Sequence, residues 1–422
     1  MELNLQKDRI QEEAVEKWSY SGKNGSVIAV TGVGKNFIFL KALMTMPRNQ
    51  KDTVHLFLAE TTERDKDLQE QILLFNEIYN VDILNLYNLQ FHCYQEVYKW
   101  QGLHFGLVCA DEIHDSLSPE YVKFYVNNTY DAILGLSALI ESTNYYTIKH
   151  DITLRNFFKV DSVNKHDMIA KIAPVCFTYN INQARKDDTS RKLNIYVIKN
   201  KLEDQTKNIL GGNKVLPFYQ TEMAAYSYAN KLFNEAVNLE QDEGESWDKF
   251  QERKEFKIIS ASNKRSKLLY RLNSKIYIVR ALLQNIKTKT IIFGNDLDTL
   301  YKMTPNVISS RNTDEENDHC RGMFERDIIN TIGSFKKLKQ GANLSKLDNC
   351  IITSYYSSEK DMIQRFGRLR QDGEKVGNVF IIVTEKTQEV VWYNKMMENI
   401  TEYNIIYCDN VAECIKKYKE NE

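Results

Sequence analysis

Three stretches carry residue types and spacings suited to a phosphorylated ligand. Thr31-Gly32-Val33-Gly34-Lys35-Asn36 places two glycines and a lysine at one turn. Small residues let backbone N–H groups close round phosphate oxygens, and the lysine ammonium reaches the β- and γ-phosphates. Asp111-Glu112 sets two carboxylates side by side. One can hold Mg²⁺ through water while the other polarises an attacking water. Gln364-Arg365-Phe366-Gly367-Arg368-Leu369-Arg370 spaces Arg365 and Arg368 three apart. They share a helix face, and guanidinium groups so arranged suit bidentate phosphate binding. Alone, each has a plainer reading: a strand–turn–helix, a solvated acidic turn, a basic surface helix.

The elements that must carry these residues decide between the readings. Phe105 to Ala110 is a continuous apolar run ending at Asp111, the pattern of a strand buried on both faces in a parallel sheet. Ser26 to Val30 is a second such run, followed by the glycine turn and an apolar helix, Phe37 to Met46. Val54 to Ala59 is a third strand; it ends in Glu60-Thr61-Thr62-Glu63-Arg64, and a helix follows from about Asp65 to Tyr79. Val81 to Tyr87 is the next strand candidate, with a helix over Tyr94 to Trp100. Ala132 to Ala138 reads as another buried strand, ending in small hydroxyl-bearing residues. Leu5 to Trp18 places Ile10, Ala14, Val15 and Trp18 on one helical face, while Gln11 sits among charged neighbours.

Alternating strands and helices imply a parallel sheet with right-handed crossovers. Ligands of such sheets bind at the carboxyl edge of the strands. Lys35 and Asp111-Glu112 are then expected side by side there, as one site for a Mg-nucleotide. The phosphate-loop pattern G-x-x-x-x-G-K-[ST] is matched except at its ends, where Ala29 replaces the first Gly and Asn36 the Ser/Thr.

In the second half, the charged break Lys186 to Lys192 is the best linker candidate, and a strand, Leu193 to Lys199, opens a second unit. From about Leu202 to Lys287 the chain reads as paired, charged helices with a polar break at Gln241 to Ser246. Strands resume at Thr290 to Gly294, Asn306 to Ser309, Cys350 to Ser354 and Val379 to Val383.

A length of 422 residues suggests about two domains. With 42% hydrophobic and 27% charged residues, the composition is that of an ordinary globular protein. The net charge of -1 advertises no global attraction to nucleic acid, although a basic cleft fits inside a neutral whole. The seven cysteines include no Cys-x-x-Cys pair, so neither zinc nor a disulfide framework is indicated. The polar start MELNLQKDRIQEE does not read as a signal peptide, and no apolar run approaches a membrane span. A reducing cytoplasm is the default expectation.

The order of these segments resembles that of the superfamily-two DNA/RNA helicases of the DEAD/DEAH-box-like, DExH type, over nearly the whole chain. Gln11 falls where the family has an adenine-reading glutamine. AVTGVGKN (29–36) resembles its A-x-x-G-x-G-K-T motif, and DEIH (111–114) its DEAH/DExH box. Leu136-Ser137-Ala138 resembles the Ser/Thr-Ala-Thr motif, with Leu139 in place of the final Thr. QGANL (340–344) is similar to G-x-N-L, and QRFGR (364–368) to Q-R-x-G-R-x-x-R.

The resemblance implies an α/β fold of two tandem RecA-like parallel-sheet domains. These are 1–188, binding ATP, and 189–422, with a helical insertion at about 202–287. It implies an ATP-dependent helicase or translocase using ATP and Mg²⁺. Lys35, Asp111, Glu112, Gln364 and Arg368 would be catalytic. Gln11, Thr31, Gly32, Val33, Gly34, Lys35, Asn36, Arg365 and Arg368 would hold the nucleotide, and Asp111 and Asn36 the metal. Thr61, Arg64, Ser309, Ser310, Arg311 and Gly341 would meet nucleic acid, mainly at its phosphates. DNA is the favoured partner over RNA, with replication or recombination proteins beside it and no membrane. The compact architecture resembles phage-encoded helicases, which implies the host-cell cytoplasm. Asn36, Leu139 and Gln371 depart from the family pattern and favour an alternative: a catalytically weakened helicase fold acting as a binding module.

Overall fold

The computed structural model describes residues 4–421 apart from 31, 49, 62, 141–144, 188, 190, 213–215, 336–346, 356–364, 367–368, 370–375 and 399–402. Helix α1 (Leu5–Tyr20) starts where the Asn4 side chain caps the Lys7 N–H at 3.0 Å. Its face of Ile10, Ala14, Val15 and Trp18 is buried, and the Trp18 indole donates to the Ile133 carbonyl at 2.8 Å. The helix is thereby fastened across the sheet it covers.

That sheet has six strands: β1 (Asn24–Ala29), β2 (Val54–Ala59), β3 (Asn88–Cys93), β4 (His104–Asp111), β5 (Thr129–Ser137) and, after a small hairpin of β6 (Tyr145–Thr147) with β7 (Ser162–Asn164), β8 (Val175–Tyr179). The order is β3-β2-β4-β5-β1-β8, with every pairing parallel. Alternate residues of β4 feed opposite layers. Leu107 and Cys109 join the cluster under α1 and α2 (Lys35–Met44), whereas Val108 and Ala110 join a second cluster on the far face. Burial on both faces accounts for the unbroken apolar run.

The second sheet has seven strands. They are β9 (Leu193–Asn200), then, beyond a hairpin of β10 (Ile209–Gly212) and β11 (Pro217–Gln220), β12 (Thr290–Phe293), β13 (Val307–Ile308), β14 (Thr331–Ser334), β15 (Asn349–Ile352), β16 (Gly377–Thr384) and β17 (Asn404–Cys408). The order is β13-β14-β12-β15-β16-β9-β17, again all parallel. One apolar cluster includes residues of both sheets, among them Leu134, Leu193 and Phe293. Within the second unit, Lys275 and Glu389 form a fully buried ion pair at 2.5 Å. The Lys275 ammonium also donates to the Thr353 carbonyl at 2.8 Å, and Glu389 accepts from the Thr384 N–H at 3.0 Å.

Several expectations need correction. Residues 81–87 do not form a strand: Asp82 caps the Asn85 N–H at 3.2 Å and starts a helical turn, Ile83–Leu86. The strand comes afterwards, as β3, a half-buried sheet edge with no strong apolar run. The helix expected over Tyr94 to Trp100 is the single turn Tyr94–Val97. The segment 202–287 is not helical throughout. It opens with the β10–β11 hairpin, and the paired helices are Glu222–Val237 and Trp247–Tyr270. The last helix, Asn273–Asn285, buries Ile276, Val279 and Leu282 against the second sheet and belongs to that sheet's own layer. Strands β8, β14 and β17 escaped the pattern search, two of them as sheet edges and one as Thr-Ile-Gly-Ser.

Candidate nucleotide-binding site

The site forms at the carboxyl edge of the first sheet. The turn after β1 carries Gly32 and Gly34, both at positive φ (102° and 93°). Gly34 caps the start of α2, and a Cβ there would lie 2.7 Å from the Gln11 side-chain nitrogen. Glycine is therefore required twice at this position, for backbone conformation and for space. Lys35 is the first residue of α2 and Asn36 the second. Gln11 comes from α1 and donates through Nε2 to the Val33 carbonyl at 2.8 Å. Its Oε1 is buried with no hydrogen-bond partner, an acceptor beside the phosphate turn.

The acidic pair closes the other side. Strand β4 ends at Asp111, and Glu112 adopts the left-handed conformation (φ 50°, ψ 54°) before a 3₁₀ turn, Ile113–Asp115. The buried Tyr94 hydroxyl donates to the Asp111 carbonyl at 2.7 Å and fixes this corner from below. The strands that lead to Lys35 and to the pair are not neighbours, because β5 lies between β1 and β4. The lysine spans that gap: Lys35 Nζ is 2.7 Å from Glu112 Oε1. Ser137, the last residue of β5, sits in the middle. Its hydroxyl lies 3.3 Å from Glu112 Oε2 and 2.8 Å from His114 Nδ1. It also donates to the Leu139 carbonyl at 2.8 Å, and the Leu139 N–H reaches back to Ser137 Oγ at 3.3 Å. Both Leu139 contacts use its backbone, so they are indifferent to the missing hydroxyl.

Burial acts to raise the Glu112 pKa, but the Lys35, His114 and Arg64 charges and the Lys35 hydrogen bond hold it well below the ordinary carboxylate range. Asp111 is paired through Oδ2 with Arg64 Nη2 at 2.9 Å. Asp111 raises the guanidinium pKa further, against burial and with help from Glu112. The second Asp111 oxygen, Oδ1, is buried with no hydrogen-bond partner. Among the described residues no group of three or more His, Cys, Asp or Glu side chains is placed to cage a metal. One carboxylate with a free oxygen suits Mg²⁺, which keeps waters and takes phosphate oxygens as its other ligands. The residues present therefore fit the ion: Asp111 through Oδ1, with Asn36 at the head of α2 as the other expected ligand.

The remaining expected residues are dispersed. Thr61 is exposed at the end of β2. Ser309 is fully buried and bound to Asn317 through both its N–H and its carbonyl. Ser310 and Arg311 are exposed, and Arg311 pairs with Asp298 at 2.7 Å. Arg365 is buried in the second unit, donating to the Ser354 carbonyl at 2.8 Å and lying 5.3 Å from the Phe293 ring centroid. Thr31, Gly341, Gln364, Arg368 and Gln371 lie outside the described residues. Sequence reasoning missed Tyr94, for which no local pattern gives a signal, and the Arg64–Asp111 pair.

Two tandem all-parallel sheets, with a glycine-lysine turn and an acidic strand end on the first, have the fold of two tandem RecA-like domains. Residues 4–142 match the family described as "Type III restriction enzyme, res subunit". No curated protein matches the chain. Among solved structures, Saccharomyces cerevisiae Dbp5 bound to RNA and ADP BeF3 aligns with a TM-score of 0.58 at 11% identity, covering 97% of this chain and 92% of its own. The ATP-dependent Type ISP restriction-modification enzyme LlaBIII, bound to DNA, aligns with a TM-score of 0.54 at 12% identity. That alignment covers 100% of this chain and 32% of LlaBIII. At such identities the likeness concerns the fold.

Proposed function

We propose that the protein is an ATP-driven nucleic-acid translocase or helicase of the DExH type. The observation that carries this is the convergence of Lys35, Glu112 and two unpartnered buried oxygens, Gln11 Oε1 and Asp111 Oδ1, at one sheet edge. An acceptor at Gln11 suits an amino-purine edge. Lys35, on its flexible stem, is within reach of phosphates at the glycine turn and of Glu112. Glu112 stays ionised at neutral pH and can accept a proton from water attacking the terminal phosphate. Bound at Asp111, Mg²⁺ would supply charge neutralisation for the phosphate oxygens. Ser137 Oγ lies 3.3 Å and His114 Nδ1 3.6 Å from the second Glu112 oxygen, at the end of the strand. Arg368, supplied by the second unit, is the residue that the helicase resemblance assigns to the transition-state charge, worth ~10³–10⁵ in rate when such a group closes on the site.

DNA and RNA both belong in the test, since the structural neighbours include one bound to each. ATPase activity against a panel of single- and double-stranded DNA and RNA should show stimulation by at least one of them. Glu112→Gln should abolish turnover while nucleotide binding survives. Wild-type protein that binds ATP but hydrolyses it on no nucleic acid would sink the reading. Duplex displacement beside triplex displacement separates unwinding from translocation.

A further inference from the structure

In the second unit, helix Glu222–Val237 packs on helix Trp247–Tyr270 and also borders an open groove of about 920 Å³. Asn230, Asn234 and, at the helix C-cap, Asn238 line this groove at every fourth position. Four helical residues rise ~6 Å. The three carboxamides therefore recur at close to the ~6.6 Å between alternate residues of an extended chain. A carboxamide carries a donor and an acceptor, the same pair that a peptide group offers.

The first of the three is held in one orientation. Arg265, from the neighbouring helix, is buried, and its Nη1 donates to Asn230 Oδ1 at 2.8 Å. Its guanidinium lies 3.8 Å from the Phe233 ring centroid, and its Nε has no hydrogen-bond partner. Arginine has no acceptor, so the Asn230 carbonyl oxygen faces it and the amide nitrogen is turned away as a free donor.

Charge changes along the groove. At its base, Lys386 follows β16, beside Tyr226, whose hydroxyl accepts from the Gln388 N–H at 2.9 Å. At the other end, Glu240 and Asp242 lie past the helix C-terminus, where the peptide dipoles add negative potential. Asp242 is paired with Arg253 at 3.0 Å, and Lys231 faces Glu235 at 3.8 Å midway. This near-balanced lining does not attract a polyanion. It suits a segment carrying both signs of charge, one at each end.

We infer that this groove binds an extended segment of a partner protein. Asn230, Asn234 and Asn238 hydrogen-bond its backbone, Lys386 takes an acidic side chain and Glu240 a basic one. Backbone pairing of this kind supplies affinity, and the two end charges set direction and choice of partner. From Tyr226 to Glu240 the groove is ~20 Å long, the reach of about six extended residues. The site lies away from the nucleotide edge and does not depend on the function proposed above.

The test selects a displayed library of random linear heptapeptides on the full chain and measures the enriched peptides, fluorescently labelled, by anisotropy. Enriched sequences carry an acidic residue near one end and a basic residue near the other. The double variant Asn234→Ala with Asn238→Ala weakens their binding about ten-fold or more, as two lost hydrogen bonds of ordinary strength do. Both asparagines are exposed, so its melting temperature matches wild type. Lys386→Glu and Glu240→Lys each weaken binding, and together they restore it for a peptide with its end charges exchanged. Arg265→Met releases the Asn230 amide and weakens the same peptides. No enrichment overturns the inference, as do peptides that bind the double variant as tightly as wild type, or unchanged affinity in Arg265→Met. Displacement of the peptides by oligothymidylate also overturns it, in favour of nucleic acid.

Discussion

Lys35 and Glu112 meet at 2.7 Å across the end of the strand that separates theirs. Both are largely withdrawn from solvent, with side-chain exposures of 11% and 8%. The ammonium that the phosphate turn presents is thus the same one that neutralises the acid expected to handle water. On the proposed function, phosphate oxygens and Glu112 would compete for it, and Glu112 would become free to accept a proton only as the lysine turned to phosphate. That reading ties hydrolysis to phosphate binding through a single side chain.

Replacing that acid separates the two effects. Glu112→Gln removes the charge that competes for Lys35, so affinity for a fluorescent ADP analogue should rise. ATP turnover should fall by ~10²–10⁴ with loss of the proton acceptor. Steady-state hydrolysis and equilibrium binding on the same preparation check both directions. Weaker binding in the variant would mean that Lys35 is not shared.

The unpartnered Gln11 oxygen predicts base selectivity. Gln11→Ala should weaken ATP binding about ten-fold, as expected for one hydrogen bond of a buried group, and should bring ATP and CTP closer in KM. A variant with unchanged ATP-over-CTP preference places the base elsewhere.

The low pKa of Glu112 makes a stability prediction with a definite sign. The unfolded chain has its glutamates at about 4.3, and the folded value lies below. The unfolded state therefore binds more protons in that window, and Glu112 stabilises the fold at higher pH. This contribution is lost as pH falls through the folded value. The Tm advantage of wild type over Glu112→Gln should accordingly shrink below about pH 4.3. An advantage that grows on acidification would show that burial outweighs the Lys35 charge.

In the second unit, Lys275→Met leaves Glu389 buried without its cation and should cost ~3–5 kcal/mol by denaturant unfolding. The double change Lys275→Met with Glu389→Leu should recover most of that loss, since a buried pair is replaced by apolar packing. Additive losses would mean that the pair acts through the Thr353 and Thr384 contacts instead.

What could be read beforehand follows from physical scale. Continuous apolar runs such as Leu107 to Ala110 declare a central strand because both faces are buried. The α1 face was equally legible from Ile10, Ala14, Val15 and Trp18. Gln11 read as solvated because its neighbours in sequence are charged, yet it lies on the buried face, where its partner is a carbonyl 22 residues away. Edge strand β3 was invisible because one-sided burial leaves no strong pattern, and capping by Asp82 shifted its start. The placement of Asp111 and Glu112 at a strand end was legible from the apolar run that precedes them. Lys35 was expected beside them from sheet topology, whereas the Arg64 pairing was not legible, since Arg64 is placed by the packing of helix α3 (Glu63–Tyr79).

The left-handed backbone at Glu112 bears on the alternative of a helicase fold that no longer turns over ATP. An L-residue with a full side chain costs about 1 kcal/mol in that conformation, whereas glycine adopts it freely and asparagine nearly so. Glu112→Gly should relieve the backbone cost and, on the proposed function, abolish hydrolysis, while losing the Lys35 pairing. The strained corner therefore sets the Glu112 carboxylate against the Lys35 ammonium at a backbone cost, so that the pairing across β5 outweighs the local preference of the chain.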